Sequence, residues 1–347
     1  MSTTDRDIAL LRQMLRMRRL EEQVIHLAED HKLIRAHFHV YIGQEAAGAG
    51  ACAALTREDS IFTTHRNHAH VLAKGGDPGR ILAEIIGRAD GYSAGRAGTF
   101  HVAAPEIGVP HTSAIVGGAL PIAAGTAWAA KMRRSSLRAQ GPLPLQVTVA
   151  FFGDGVMEEG AFYETLNIAQ LWRLPLLFYM ENNSVTPEER PGRGSPTSSH
   201  SAAALSDVPR SFGVETSVVD GTRVDRVHEV VGELVRRLRA GEGPFFVESR
   251  TTRWPGNYGS IPKLVAGDTR IEWAWDASGV PETVRAWHDK SDPVLLWARE
   301  LLDRRALDRE RLVALDRQVR EEMERAAEFA RNSPLPDGRA AAEHAYA

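Results

Sequence analysis

From Ile8 to Leu33 apolar residues return at three- and four-residue steps, a period that predicts an amphipathic helix packed at the periphery of the fold. "YIGQEAAGAGACAAL" and "DPGRILAEIIGR" predict two further helices, separated by the polar, histidine-rich "FTTHRNHAHVLAKGGD". "VGGALPIAAGTAWAAKMRR" predicts a helix of small residues opened near Pro121, because proline is tolerated in a first helical turn. Its alanines and glycines permit close approach, so it is expected to be buried or to form an interface.

Beyond "SSLRAQGPLP" the pattern changes. "LQVTVAFF", "LPLLFYMEN" and "PFFVES" are short, apolar and bounded by turn residues, as strands buried on both faces are. Between them lie helical patterns, "VMEEGAFYETLNIAQLW" and "VDRVHEVVGELVRRLRAG", the second closing at Gly241. Strand and helix alternate, which predicts an α/β fold: a parallel sheet joined by right-handed crossovers and covered by helices on both faces. "TPEERPGRGSPTSSHSAAALSD" and "RWPGNYGSIPKLVAGDTR" are rich in Gly, Pro and Ser and predict long loops of the kind that serve function. From Asp292 two charged amphipathic helices are predicted, ending before Pro334. Neither an internal repeat nor a domain linker is visible.

Composition narrows the partners. With 43% apolar residues among 347, the chain can bury a substantial core. Its 42 basic and 45 acidic residues nearly balance, which gives no electrostatic reason to expect nucleic acid or an anionic membrane. Cys52 is the single cysteine, so an intrachain disulfide and a thiolate-rich metal site are excluded. The first residues lack a basic segment followed by an apolar one, and no apolar run reaches the length of a membrane span, so the expected location is the cytoplasm.

The chemistry concentrates in "GDGVMEEGAFYETLNIAQLWRLPLLFYMENN", Gly153 to Asn183. Ligands of parallel sheets bind beyond the carboxyl ends of the strands. Asp154 follows one predicted strand and Asn183 ends the next, so a single crossover returns both to one edge. A charged and a neutral oxygen suit a hard cation such as Mg²⁺, which keeps other positions for water and phosphate oxygens. Gly153 and Gly155 let the backbone approach a phosphate, and the following helix offers its N-terminal N–H groups. Either dipeptide alone reads as an ordinary turn; their pairing at corresponding strand ends is the informative feature. The glycine-rich dinucleotide fingerprint and the P-loop are both absent.

Gly-Asp-Gly, then about 26 residues, then Asn-Asn resembles the thiamine diphosphate and Mg²⁺ motif. The surrounding "MLRMRRLEEQV", "YIGQEA", "THRNHAHVLAKGGDP", "IVGGALPIAAGTAWAAK", "LWRLPLLF" and "AEFARNSPLPD" resemble the α subunit of two-subunit 2-oxo acid dehydrogenases, of the pyruvate and acetoin type. The resemblance covers nearly the whole chain. It implies a thiamine diphosphate-binding fold, its diphosphate-binding half, as one domain over 1–347: N-terminal helices to 60, a cofactor-binding core over 61–290, and C-terminal helices and tail. It implies Mg²⁺ ligands at Asp154, Asn183 and the Val185 carbonyl, and diphosphate contacts at Arg66, Gly153, Gly155 and Val156. It also implies an aminopyrimidine contact at Val116, flanked by Ala114 and Gly117.

Among His65, His68 and His70, the densest histidine cluster, the resemblance makes His68 the catalytic pocket histidine; as a zinc set the three lack a completing ligand. His39 and His101 lie in family motifs with a structural role as the alternative. The glutamate that activates the cofactor is implied to come from a separate β subunit, two α chains with two β. Glu159 and Glu164 are expected to lie at the wrong end of the cofactor to replace it.

One motif departs. Where the family carries "YRxxGHS" and then Asp-Pro, this chain reads "TRWPGNYGSIPKL", with Asn257 for the histidine, Tyr258 for the serine and Ile261 near the aspartate. That histidine is associated with acyl transfer to lipoamide, and asparagine moves no proton near neutral pH. Three readings follow: an α subunit that decarboxylates a 2-oxo acid (or cleaves acetoin) and passes the acyl unit to a lipoyl-bearing acyltransferase; a two-subunit enzyme that couples the decarboxylated unit to another carbonyl; or a non-catalytic subunit that binds a partner.

Overall fold

In the computed structural model, residues 3–34, 37–136, 145–183, 200–257 and 262–339 are described. Six strands form one wholly parallel sheet: β1 (Ser60–Thr63), β2 (His111–Thr112), β3 (Thr148–Gly153), β4 (Leu176–Asn182), β5 (Glu215–Asp220) and β6 (Phe245–Arg250), in the order β2-β1-β3-β4-β6-β5. Successive strand residues point to opposite faces, and in β3, β4 and β6 both faces are dry. Val149, Phe151, Leu177, Tyr179 and Val247 enter one core, whereas Ala150, Phe152, Phe178, Met180 and Phe246 enter the other.

On the second face lie α5 (Ala119–Ser136) and α6 (Gly160–Leu171). The first face is covered by a larger set: α1 (Thr3–Glu29), α2 (Glu45–Ala53), α3 (His68–Ala73), α4 (Pro78–Ile85) and α8 (Val224–Ala240). A short α7 (Asp207–Ser211) precedes β5, and α9 (Glu282–Lys290), α10 (Pro293–Asp303) and α11 (Arg309–Asn332) follow. Asp77, Asp292 and Asp308 accept backbone N–H bonds at the starts of α4, α10 and α11, and Gly241 ends α8 with φ +93°. No helix among the described residues is long and apolar enough to cross a membrane.

The expected layers are present, but the sheet has three strands more than expected, β1, β2 and β5, and other elements differ. Helix α1 is central rather than peripheral: it touches α2, α3, α10 and α11, and buries Arg18, Arg19, Glu21 and Glu22 with its apolar residues. Those charges are tolerated because they pair, as Arg18 does with Glu45 and Asp292. The polar segment expected to separate two helices contains β1 and α3. The helix expected from Val156 begins at Gly160, after a 3₁₀ turn over Asp154–Glu158.

Candidate active site

The register Gly153↔Glu181 between β3 and β4 brings Asp154, one residue on, and Asn183, two residues on, to the carboxyl edge of the sheet. Both line a cavity of about 220 Å³ there. The loop after β2 forms its opposite wall. Ser113 N–H donates to the Thr63 carbonyl at 3.0 Å, Ser113 Oγ accepts from Ile115 N–H at 3.1 Å, and Gly117 turns the chain into α5 at φ +78°. Ala114, Val116 and Gly117 consequently reach the same cavity as Gly153, Gly155 and Val156. A Cβ added at Gly153 or Gly155 would meet nothing within 4 Å, so the backbone there is open to a ligand.

The electrostatics suit an anion held with a cation. Arg66 is buried against the Val40 carbonyl, to which Nη1 donates at 2.8 Å, and lines the cavity with Arg253. Burial, then Arg253, draws Arg66 down to about 10, so it stays protonated at neutral pH. Asp154 and Glu181 supply the carboxylates of the lining. Asp154 with the Asn183 amide is a hard-oxygen donor pair that fits Mg²⁺, and the open glycine flank beside Arg66 fits a diphosphate. Val185, Tyr258 and Ile261 lie outside the described residues, and of Asn257 the backbone alone is described, closing a short 3₁₀ turn over Pro255–Asn257.

The histidines part company. His65 lines the cavity. His68, expected there, is fully buried behind it, with Nδ1 3.1 Å from Glu21 and Nε2 2.9 Å from the Thr99 carbonyl. The cause is local: His68 opens α3 and turns inward to α1, whereas His65 precedes the helix and faces the sheet edge. His70 bonds Thr63 and Glu181. Among the described residues no group of three or more His, Cys, Asp or Glu is placed to hold a metal, consistent with this dispersal. His65 packs edge-on to His39, ring centroids 4.7 Å apart. Burial, then Arg66, lowers His65 to about 3 and His39 to about 4, so both are neutral near pH 7.

Glu181 and Arg253 are site residues that the sequence reading passed over. Glu181 was legible: strand alternation puts it on the face of Asn183, two residues on. It is almost wholly buried, and one carboxylate oxygen takes the Tyr41 hydroxyl and lies 3.2 Å from His70 Nε2. Glu159 lies against the loop after β2, since a Cβ added at Gly117 would be 3.2 Å from Glu159 Cβ. The 3₁₀ turn carries Glu159 round to the loop that bears Val116; its residue is exposed and is not part of the cavity lining. Glu164 borders a separate groove between α5 and α6.

The profile of the dehydrogenase E1 component family matches residues 12–260. The α subunit of acetoin:2,6-dichlorophenolindophenol oxidoreductase from Cupriavidus necator is 32% identical over 329 residues, 95% of this chain and 90% of that one. Its counterpart from Bacillus subtilis is 31% identical over 336 residues, covering 96% and 91%. The pyruvate dehydrogenase E1 component α subunit of Zymomonas mobilis is 35% identical over 326 residues, covering 94% and 84%. With this match and the cavity at the strand ends, the chain belongs to the dehydrogenase E1 component family, whose members depend on thiamine diphosphate.

Proposed function

We propose that this chain is the α subunit of a two-chain, Mg²⁺-dependent enzyme that decarboxylates a 2-oxo acid, or cleaves acetoin, and delivers the acyl unit to a lipoyl acceptor. The observation that carries the reading is the meeting of Asp154, Asn183, Arg66 and the open flank of Gly153 and Gly155 in one cavity at the ends of β3 and β4. In this reading Asp154, Asn183 and the Val185 carbonyl hold Mg²⁺, while Arg66, Gly153, Gly155 and Val156 hold the diphosphate. Ala114, Val116 and Gly117 receive the aminopyrimidine. Thiamine diphosphate, when bound, supplies the electron sink that makes decarboxylation accessible. His65 takes the place foreseen for His68: neutral and facing the cavity, it can orient cofactor or substrate by hydrogen bonding.

The β subunit is expected to supply the activating glutamate and to cover the cavity mouth. Ile115 and Val116 are exposed at that mouth, and the apolar surface continues along Ile122, Trp128 and Met132 of α5 to Ile168, Leu171 and Trp172 at the end of α6. Trp128 is 48% and Trp172 47% exposed, and their rings lie 6.2 Å apart over the groove between the helices. Exposed apolar side chains on adjoining helices, with two tryptophans over the groove between them, fit an interface. Trp128→Glu should therefore weaken pairing with the β chain at least about thirtyfold, the loss typical of an aromatic anchor, while the lone chain keeps its melting temperature. Unchanged co-sedimentation of the two chains would remove this face from the account.

Asn257 favours a second reading, in which the acceptor is an aldehyde or ketone. The test is decarboxylation by the assembled complex with Mg²⁺ and thiamine diphosphate, offered a lipoyl domain or an aldehyde. Acylation of the lipoyl domain supports the first reading. Carbon–carbon coupling without it supports the second, and bound cofactor with no turnover of any 2-oxo acid supports a non-catalytic subunit.

A further inference from the structure

We infer that Gln44 is a positioning residue for the proposed metal site, holding the Asn183 amide so that its oxygen rather than its nitrogen faces the cation. This rests on the reading that Asp154 and Asn183 hold Mg²⁺.

An asparagine serves a cation only through its oxygen, yet its two amide ends are nearly the same size and nothing in its shape prevents rotation by half a turn. A fixed neighbour must therefore choose between them. Asn183 Nδ2 donates to Gln44 Oε1 at 2.9 Å, which occupies the nitrogen, and Asn183 lines the cavity, so its oxygen is the end left for a cation. Gln44 is fully buried, a costly place for an amide without a task. It begins α2, but its side chain makes no capping bond there, and Nε2 finds no partner among the described residues. Its bond to Asn183 is thus the hydrogen bond that the side chain makes among them.

The backbone around Gln44 is held from several directions. Gln44 N–H donates to the Tyr41 carbonyl at 3.0 Å, and its own carbonyl accepts from Gly48 at 3.2 Å. Next in sequence, Glu45 is locked to buried Arg18 and accepts from Gly43 N–H at 2.9 Å. Gly43 has φ +99°, and a Cβ there would lie 2.5 Å from the Thr252 carbonyl, so this turn cannot easily shift. A rigid support of this kind is what an orienting residue needs.

The test compares Gln44→Met, which keeps length and removes the acceptor, in the wild-type and Asn183→Asp backgrounds. Each protein is assembled with its β chain, and thiamine diphosphate retained on ultrafiltration is measured as Mg²⁺ is titrated, a readout independent of turnover. With Asn183 present, Gln44→Met should raise the half-saturating Mg²⁺ concentration about 10- to 100-fold. Aspartate presents oxygen in either orientation, so in that background the same change should add no more than about twofold. Equal losses in both backgrounds, or no loss in the first, would overturn the inference and leave Gln44 a packing residue. Should Gln44→Met fail to fold, Gln44→Glu retains an acceptor for Asn183 Nδ2 and should keep half-saturation at or below the wild-type value; a tenfold rise would contradict the role. Failure of the wild-type complex to retain thiamine diphosphate at any Mg²⁺ concentration would instead overturn the underlying metal reading, and the orienting role with it.

Discussion

Asp154→Asn is expected to raise the Mg²⁺ concentration needed for thiamine diphosphate retention at least about a hundredfold, the upper end of what even an outer-sphere change costs, and to lower decarboxylation correspondingly. The substitution keeps the shape of the side chain and removes its charge. What remains in the cavity is Glu181, one of whose oxygens is already engaged by Tyr41 and His70, and two guanidiniums, Arg66 and Arg253. A cation would then face net positive surroundings without its charged ligand. Asp154 follows β3 rather than sitting within it, so the melting temperature should change little. Circular dichroism would establish that the fold is intact, and calorimetric titration of Mg²⁺ would give the affinity. Wild-type Mg²⁺ affinity in the variant would mean that the cation is held elsewhere.

Arg18→Met should destabilise the fold by about 3–5 kcal/mol, because removal of one member of a buried ionic cluster leaves its partners charged and unpaired. Arg18 Nε donates to Glu45 at 2.6 Å, Nη2 to Asp292 at 2.9 Å and Nη1 to Thr269 at 2.9 Å, the three charged groups being without solvent exposure. Asp292 also meets His288 Nδ1 at 2.8 Å and caps α10, so one carboxylate ties α1 to the C-terminal helices. Burial opposes its ionisation, but the Arg18 guanidinium beside it, with His288, holds Asp292 well below the usual carboxylate range. A depressed carboxyl contributes stability that is complete above the ordinary value of 3.8 and fades as the pH falls below it. Denaturant unfolding of wild type should therefore show a loss of stability at acid pH that Arg18→Met largely lacks. Equal stability of the two proteins at pH 7 would contradict this account of α1.

The residues that fail to show themselves in sequence are those whose direction is set by tertiary contacts. Strands β3, β4 and β6 are legible because burial on both faces makes them continuous apolar runs. The four-residue β1 and two-residue β2 are too short for a period, and β5, "ETSVVD", carries polar residues at the sheet edge. Helix α1 shows its period but not its depth, since Arg18 and Glu21 read as a solvated face until Asp292, Glu45 and His68 are brought to them from distant positions.

In the site, Asp154 and Asn183 are legible together because strand ends in a parallel sheet share an edge. His65 and His68 differ by less than one helical turn, so their sequence cannot show which faces the cavity; the start of α3 between them decides it. Gln44 lies in the quoted motif "YIGQEA", but nothing in the sequence ties it to Asn183, 139 positions away.

The amount of thiamine diphosphate bound at equilibrium by the assembled α and β chains, with Mg²⁺ and after chelation, decides whether the cavity at the ends of β3 and β4 holds the cofactor. One cofactor per α chain is expected with Mg²⁺, and almost none without it. Binding that is indifferent to the metal, or absent in both conditions, would contradict the assignment of the cavity between β3 and β4.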